Sequence, residues 1–90
     1  MQETYSIHLH KRAQKDIKLL KQKPALLNNF REVMKLIRDN PYRYESPFEI
    51  LRGDLQGCFS VRLNIQHRVI YEVDEETKTI KILRAWSHYE

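Results

Sequence analysis

Residues 59–73 read FSVRLNIQHRVIYEV, and apolar and polar side chains alternate along this stretch in two runs. One run spans residues 59–63 and the other spans residues 68–73, and such alternation is typical of strands with one buried face. If the hairpin has an odd-length loop at residues 64–66, both apolar sets share one face and Arg62 lies directly opposite Arg68 on the other. Like charges in that position are unfavourable, so this register indicates an anion or carboxylates close to the arginines.

The rest of the chain predicts one strand and two helices before this hairpin, then a loop, with a further strand after the hairpin. The helical spacing of apolar residues predicts the two helices, and prolines mark where elements begin or end. The expected elements are a strand at 5–9, a helix at 11–23, a second helix from Pro24 to Asp39, a loop at 41–50, turns at 52–54 and 56–57, and a last strand at 79–86. The expected fold is α+β, a single domain over residues 1–90. Its N-terminal strand and αα-hairpin pack on an antiparallel β-meander.

Composition narrows the class of protein. The 90 residues carry a formal net charge of +4, and residues 1–38 hold nine Lys/Arg against three Asp/Glu. A basic face indicates a polyanionic partner such as nucleic acid, or an acidic protein, although charge alone fits a merely solvated surface equally well. The single Cys58 excludes an internal disulfide, and there is neither a signal peptide nor an apolar run of about 20 residues. A cytoplasmic protein that does not enter membranes is expected.

A set of side chains in the second half suits RNA cleavage without a metal. Such a reaction needs a base to take the proton of a 2′-OH, an acid to protonate the leaving 5′ oxygen and cations to hold the phosphate. Glu49 can serve as the base, His88 as the acid, and Arg62 and Arg68 as the cations. The alternatives are a surface carboxylate at Glu49, arginines paired with Glu72 or Asp54, and a frayed C-terminal tail.

The last strand extends this set. If its register has the same parity, Arg84, Trp86 and His88 share the face of the two arginines, with Tyr89 at the end, and the aromatic rings can stack on unpaired bases.

The other histidines and the cysteine favour structural roles. His67 is expected near a tight turn, with a structural hydrogen bond. His8 and His10 share a strand face but have no convincing third metal ligand. Cys58 is expected in the core or at an edge.

These residues carry a family resemblance. The stretch 47–63 reads PFEILRGDLQGCFSVRL, and it is followed by HRVIY at 67–71 and SHY at 87–89. Together they resemble the Txe/YoeB family of toxins from bacterial toxin–antitoxin modules, within the RelE/ParE superfamily. The chain departs from that pattern at Val61, where many members have a second arginine, at Cys58, where an aromatic residue is common, and at Glu90, which follows the terminal tyrosine.

The resemblance implies a ribosome-dependent mRNA endoribonuclease that stops translation and needs no cofactor or metal. It implies that Glu49 is the general base, His88 the general acid, Arg68 the main phosphate ligand, Arg62 a supporting one and Tyr89 a residue that shapes the site. We add Arg52 and Trp86 as candidate RNA contacts.

The implied partners are a Phd/YefM-type antitoxin, the ribosome with its mRNA, operator DNA only as a toxin–antitoxin complex, and a second copy in a homodimer. Two other functions stay open. The same superfamily contains toxins that bind and poison DNA gyrase, and an inert basic binding domain would share the composition.

Overall fold

A computed structural model describes residues 4–51 and 57–88, with only the backbone of Ser87 and His88. Seven elements follow one another along the chain: β1 (Ser6–Leu9), α1 (Lys11–Leu20), α2 (Pro24–Asp39), β2 (Phe48–Ile50), β3 (Cys58–Arg62), β4 (His67–Asp74) and β5 (Thr79–His88). Within these residues, no helix is long and apolar enough to cross a membrane.

The strands form one mixed sheet in the order β1-β5-β4-β3-β2. The meander β3-β4-β5 is antiparallel, as the alternation predicts, and β1 adds to β5 in parallel. The pairing of Arg62 with Arg68 is the predicted register. The loop between β3 and β4 therefore comprises residues 64–66. A hydrogen bond closes it, in which the Leu63 N–H donates to the His67 carbonyl at 2.8 Å.

Helices α1 and α2 cover one face of the sheet. Their apolar stripes include Ala13, Leu20, Phe30 and Ile37, all of them buried in one core with the inner residues of the strands. Pro24 begins α2, where its missing N–H costs no helical hydrogen bond. The opposite face of the sheet, which we call the open face, carries the exposed Arg62 and the half-buried Arg68. Ser60 and Ile70 on this face are buried.

Some boundaries differ from the sequence-based expectation. Helix α1 ends at Leu20 rather than Lys23, and β5 continues to His88 rather than residue 86. The expected loop at 41–50 contains the short strand β2, which pairs antiparallel with β3. The turn expected at 52–54 lies outside the described residues. That at 56–57 is described only at Gly57, whose φ of 92° is the left-handed conformation that favours glycine.

Candidate active site

The open face of the sheet carries two rows of directly paired residues. One row runs across four strands through Glu49, Ser60, Ile70 and Arg84. The neighbouring row contains Arg62, Arg68 and Ser87. Paired residues in adjacent antiparallel strands lie about 5 Å apart and project to the same side. The two adjacent rows therefore contain one carboxylate, that of Glu49, and three arginines.

Glu49 and Arg62 form the contact at the β2 end of this face. The Glu49 Oε1 lies 3.6 Å from the Arg62 Nη2, and both side chains are about half exposed, at 42% and 50%. Arg62 therefore contacts Glu49, whereas the alternative partner Glu72 contacts Lys81 at 3.9 Å. The carboxylate is thus both accessible and next to a cation, as a base acting on a phosphate ester requires.

Arg68 owes its position to the turn between β3 and β4. The Asn64 Oδ1 accepts hydrogen bonds from the backbone N–H of Gln66 at 2.8 Å and of His67 at 2.6 Å. It also lies 3.2 Å from the Nδ1 of the buried His67. His67 therefore has the structural place expected for it. The Asx turn fixes the register that sets Arg68, which is half-buried, opposite Arg62.

Asp16, which was not among the predicted site residues, organises the end of β5. It is buried on α1 and accepts from the Arg84 Nε at 2.8 Å, from the Ala85 N–H at 2.9 Å and from the Trp86 N–H at 3.3 Å. Burial alone would raise the pKa of Asp16, but these hydrogen bonds and the Arg84 charge outweigh it, so the pKa is lowered. The hydrogen bond from Arg84 to Asp16 likewise raises the pKa of Arg84.

The predicted face is correct for Arg84, which pairs with Ile70, and wrong for the register positions of Trp86 and His88, because β5 has register shifts. Tyr71 pairs with Ile82, Ile70 with Arg84 and Arg68 with Ser87, so β5 accommodates two extra residues relative to β4. Each such bulge turns the following side chains to the other face.

The shifts move the residues of β5 relative to the arginines. Trp86 lies against the buried His67 at a centroid distance of 4.0 Å and packs on the core, so it does not share the face of Arg62. Arg84 stays in the row of Ile70 but binds Asp16. The backbone of His88 pairs with His67, one residue beyond the pair of Arg68 with Ser87, so the register position level with Arg68 is that of Ser87 and not that of His88 as predicted.

Several predicted site residues lie outside the described part of the chain. These are Arg52, Tyr89 and the side chain of His88. Arg68 pairs with Ser87, and His88 is the next residue, so the backbone of His88 lies within about 6 Å of that of Arg68.

The remaining histidine and cysteine predictions have simple outcomes. The His10 Nδ1 accepts from the Arg12 N–H at 3.2 Å and caps α1. Within residues 4–51 and 57–88, no three His, Cys, Asp or Glu side chains are grouped to hold a metal ion. Cys58 is buried, and that burial, with the Glu72 charge, raises the pKa of its thiol.

Comparison with known proteins adds the family. Residues 7–90 match the family model described as the ParE toxin of the type II toxin–antitoxin system parDE. The chain belongs to this family. The toxin also resembles solved structures of YoeB from Staphylococcus aureus, both as the heterotetrameric YoeB–YefM complex and as a YoeB dimer. Each is 30% identical to it, with TM-scores of 0.79 and 0.82.

These likenesses extend over nearly the whole chain. The complex covers 94% of the toxin and 98% of the YoeB chain, and the dimer covers 96% and 99%. A YoeB/ParE toxin from Agrobacterium tumefaciens shares the fold at a TM-score of 0.85 and 18% identity, over 93% and 99% of the two chains. No curated protein sequence matches. The predicted resemblance to YoeB and the α+β fold are thus confirmed.

Proposed function

We propose that this toxin is a ribosome-dependent mRNA endoribonuclease. The observation that carries the proposal is the half-exposed Glu49 carboxylate, 3.6 Å from Arg62 and one strand away from the Arg62–Arg68 pair. Two facing arginines repel each other, and a bound phosphate would relieve that repulsion. A carboxylate beside an anion site is what abstraction of a 2′-OH proton next to a phosphate needs.

In the proposed reaction each of these side chains has one role. Glu49 takes the proton of the 2′-OH, whose oxygen forms a bond to the adjacent phosphorus as the bond from phosphorus to the 5′ oxygen breaks. Arg62 and Arg68 hold the phosphoryl oxygens while negative charge builds up on them. His88, at the end of β5, gives its proton to the leaving 5′ oxygen, and the products are a 2′,3′-cyclic phosphate and a 5′-hydroxyl. Tyr89 and Arg52 are further RNA contacts in this proposal.

The ribosome supplies what the small sheet face lacks, namely a fixed position for the mRNA. Holding reactants in the right geometry can account for a large part of a rate enhancement. Lys11, Lys15 and Lys18 are exposed at helical spacing on α1, and we call them the lysine stripe. This stripe fits the phosphate backbone of ribosomal RNA. Free mRNA should therefore be a poor substrate.

The toxin's partner is an antitoxin of the YefM type. Support comes from the likeness to the YoeB chain of a YoeB–YefM complex, at 30% identity over nearly the whole chain. The antitoxin would block the open face, and the complex would bind operator DNA. The likeness to a YoeB dimer supports a homodimer.

The deciding experiment is primer extension on mRNA in a reconstituted translation system. Wild type should give a discrete cut at the ribosomal A site that disappears without ribosomes. Glu49→Gln should slow the cut by about 100-fold or more, since general acid–base catalysis contributes factors of this size. The matched control is Glu72→Gln, because Glu72 has similar exposure at 45% and a similar cation contact. Equal activity of wild type and Glu49→Gln would refute the assignment.

A second function has one observation in its favour, the match to the ParE family model. A gyrase-binding toxin would leave mRNA intact and inhibit supercoiling by purified DNA gyrase, and Glu49→Gln would not change that inhibition. Since a shared fold leaves function open, this assay should accompany the first.

A further inference from the structure

A cavity opens beside the row that contains Glu49. It has a volume of about 370 Å³ and is lined by His10, Arg12, Ile70, Leu83 and Arg84. Ile70 and Leu83 give it an apolar wall, while the two arginines bring positive charge. The lining residues come from the start of α1, from β4 and from β5.

The cavity exists because β5 bulges at this point. Tyr71 pairs with Ile82 and Ile70 with Arg84, which leaves Leu83 as the extra residue. Bulges beside active sites re-aim side chains. Here the bulged segment is also tied to α1, because Arg84 binds Asp16 with two hydrogen bonds, of 2.8 and 3.3 Å. The guanidinium at the rim of the cavity is thereby held in place.

We propose that this cavity binds the nucleotide on the 3′ side of the cut, with its base on the half-buried Leu83 above the buried Ile70 and its 3′-phosphate at Arg12 and Arg84. The assignment rests on the proposed function. Ile70 lies two strands from Glu49 in the same row, about 10 Å away, and Ile70 and Arg68 are on the same strand and face. The next nucleotide of a chain held at Arg68 can therefore reach the cavity.

The roles of the end residues set the direction of the RNA. The base Glu49 must lie on the side of the attacking 2′-OH, which belongs to the nucleotide 5′ of the cut. The acid His88 must lie on the side of the leaving 5′ oxygen, which belongs to the nucleotide 3′ of the cut. Glu49 is on β2 and His88 on β5, so the RNA crosses the sheet from β2 towards β5. The cavity lies at the β5 end, where the 3′ nucleotide arrives.

The first test titrates adenosine 3′-monophosphate into the toxin and follows methyl signals by NMR. The signals of Ile70 and Leu83 should shift and saturate, whereas that of Ile65, which is 91% exposed at the hairpin tip, should not. Arg12→Gln should weaken this binding about tenfold, since a charge-assisted contact to phosphate is lost. Lys21→Gln is the control, because it removes one charge about 13 Å further along the chain from Arg12.

Two outcomes of the titration would overturn the proposal. One is the absence of shifts at Ile70 and Leu83. The other is an equal response to inorganic phosphate alone, which would make the cavity an anion site, or a site for an acidic side chain, without a base. Neither outcome depends on cleavage activity.

The second test places an abasic nucleotide 3′ of the cut in ribosome-bound mRNA. Wild type should cut this mRNA about tenfold more slowly than normal mRNA, because base contacts are lost. The Arg12→Gln variant already binds the 3′ nucleotide weakly, so the abasic substitution should slow its cutting rate by a smaller factor. Equal cutting of both mRNAs by wild type would contradict the proposal. Failure to cut even normal mRNA would instead refute the nuclease function, and the titration would still decide what the cavity binds.

Discussion

Asp16 holds the end of β5 against α1 through one guanidinium and two backbone N–H groups. Asp16→Asn removes the charge that Arg84 neutralises and weakens all these bonds. We expect a loss of about 2 kcal/mol in the free energy of unfolding, less than for a fully buried pair because Arg84 is 38% exposed. Urea unfolding measures it. Asp39→Asn, which removes the exposed ion pair of Asp39 with Arg43 at 3.8 Å, is the control and should cost under about 0.5 kcal/mol. Equal losses in the two variants would contradict this role.

Glu75 makes stability depend on acid pH. Hydrogen bonds from Lys78, Tyr42 and Tyr5 lower the pKa of Glu75 from 4.5 to about 2. Because the folded state has the lower pKa, the stabilisation is complete above pH 4.5 and is lost as the pH falls towards 2. The urea midpoint of wild type should therefore fall more steeply between pH 5 and pH 2 than that of Glu75→Gln. The neighbouring Glu76→Gln should behave like wild type, and parallel curves for wild type and Glu75→Gln would disprove the effect.

At the scale of residues, sequence patterns indicate faces better than partners. The position of Asp16 was readable, because Ala13, Asp16, Ile17 and Leu20 follow helical spacing and this puts a carboxylate on the buried stripe. The pairing of Asp16 with Arg84 could not be predicted from the sequence, because 68 residues separate them and only the tertiary fold brings them together. The same holds for Glu49 and Arg62, because the alternation places Arg62 on a face but does not select its carboxylate.

Among the elements, the β3–β4 hairpin depends most on a single side chain, that of Asn64. Asn64→Ala leaves the N–H groups of Gln66 and His67 without their acceptor and should lower stability by about 1–2 kcal/mol. It should also loosen the pairing of Arg62 with Arg68, which amide hydrogen exchange in β3 and β4 would report. Gln66→Ala, on an exposed side chain of the same turn, should change neither. Wild-type exchange in Asn64→Ala would show that the strands alone fix the register.

The contrast between the two hairpins shows why part of the sheet was predictable. In β3 and β4, clean alternation and a three-residue turn leave one register that buries both apolar sets. In β5 the two bulges break the period of two, and they are stabilised by Asp16 of a distant helix rather than by local sequence. Strand β2 has three residues, too few for alternation to be recognised, and pairing with β3 defines it.

For the whole molecule, the separation of charge matters more than the net value of +4. The lysine stripe of α1 lies on a helix that covers the inner face of the sheet, whereas Glu49, Arg62 and Arg68 are on strands of the open face. One surface can therefore hold ribosomal RNA while the other holds the mRNA. The first-half excess of Lys/Arg was visible in sequence, but the use of separate faces follows only from the packing of α1.

Binding of ribosomal RNA by the lysine stripe predicts how salt affects the affinity of the toxin for the ribosome. Each lysine that neutralises an RNA phosphate releases a counterion, so affinity falls with salt in proportion to the number of such contacts. In the Glu49→Gln background, which is expected to cut mRNA only slowly, replacing Lys15 and Lys18 by Gln should lower the slope of log affinity against log salt by about two. Sedimentation with ribosomes across a KCl series measures the slope. Lys81→Gln, whose lysine already contacts Glu72 at 3.9 Å, should leave it unchanged. If Lys15 and Lys18 can be replaced without altering the slope, the toxin must approach the ribosome by another surface.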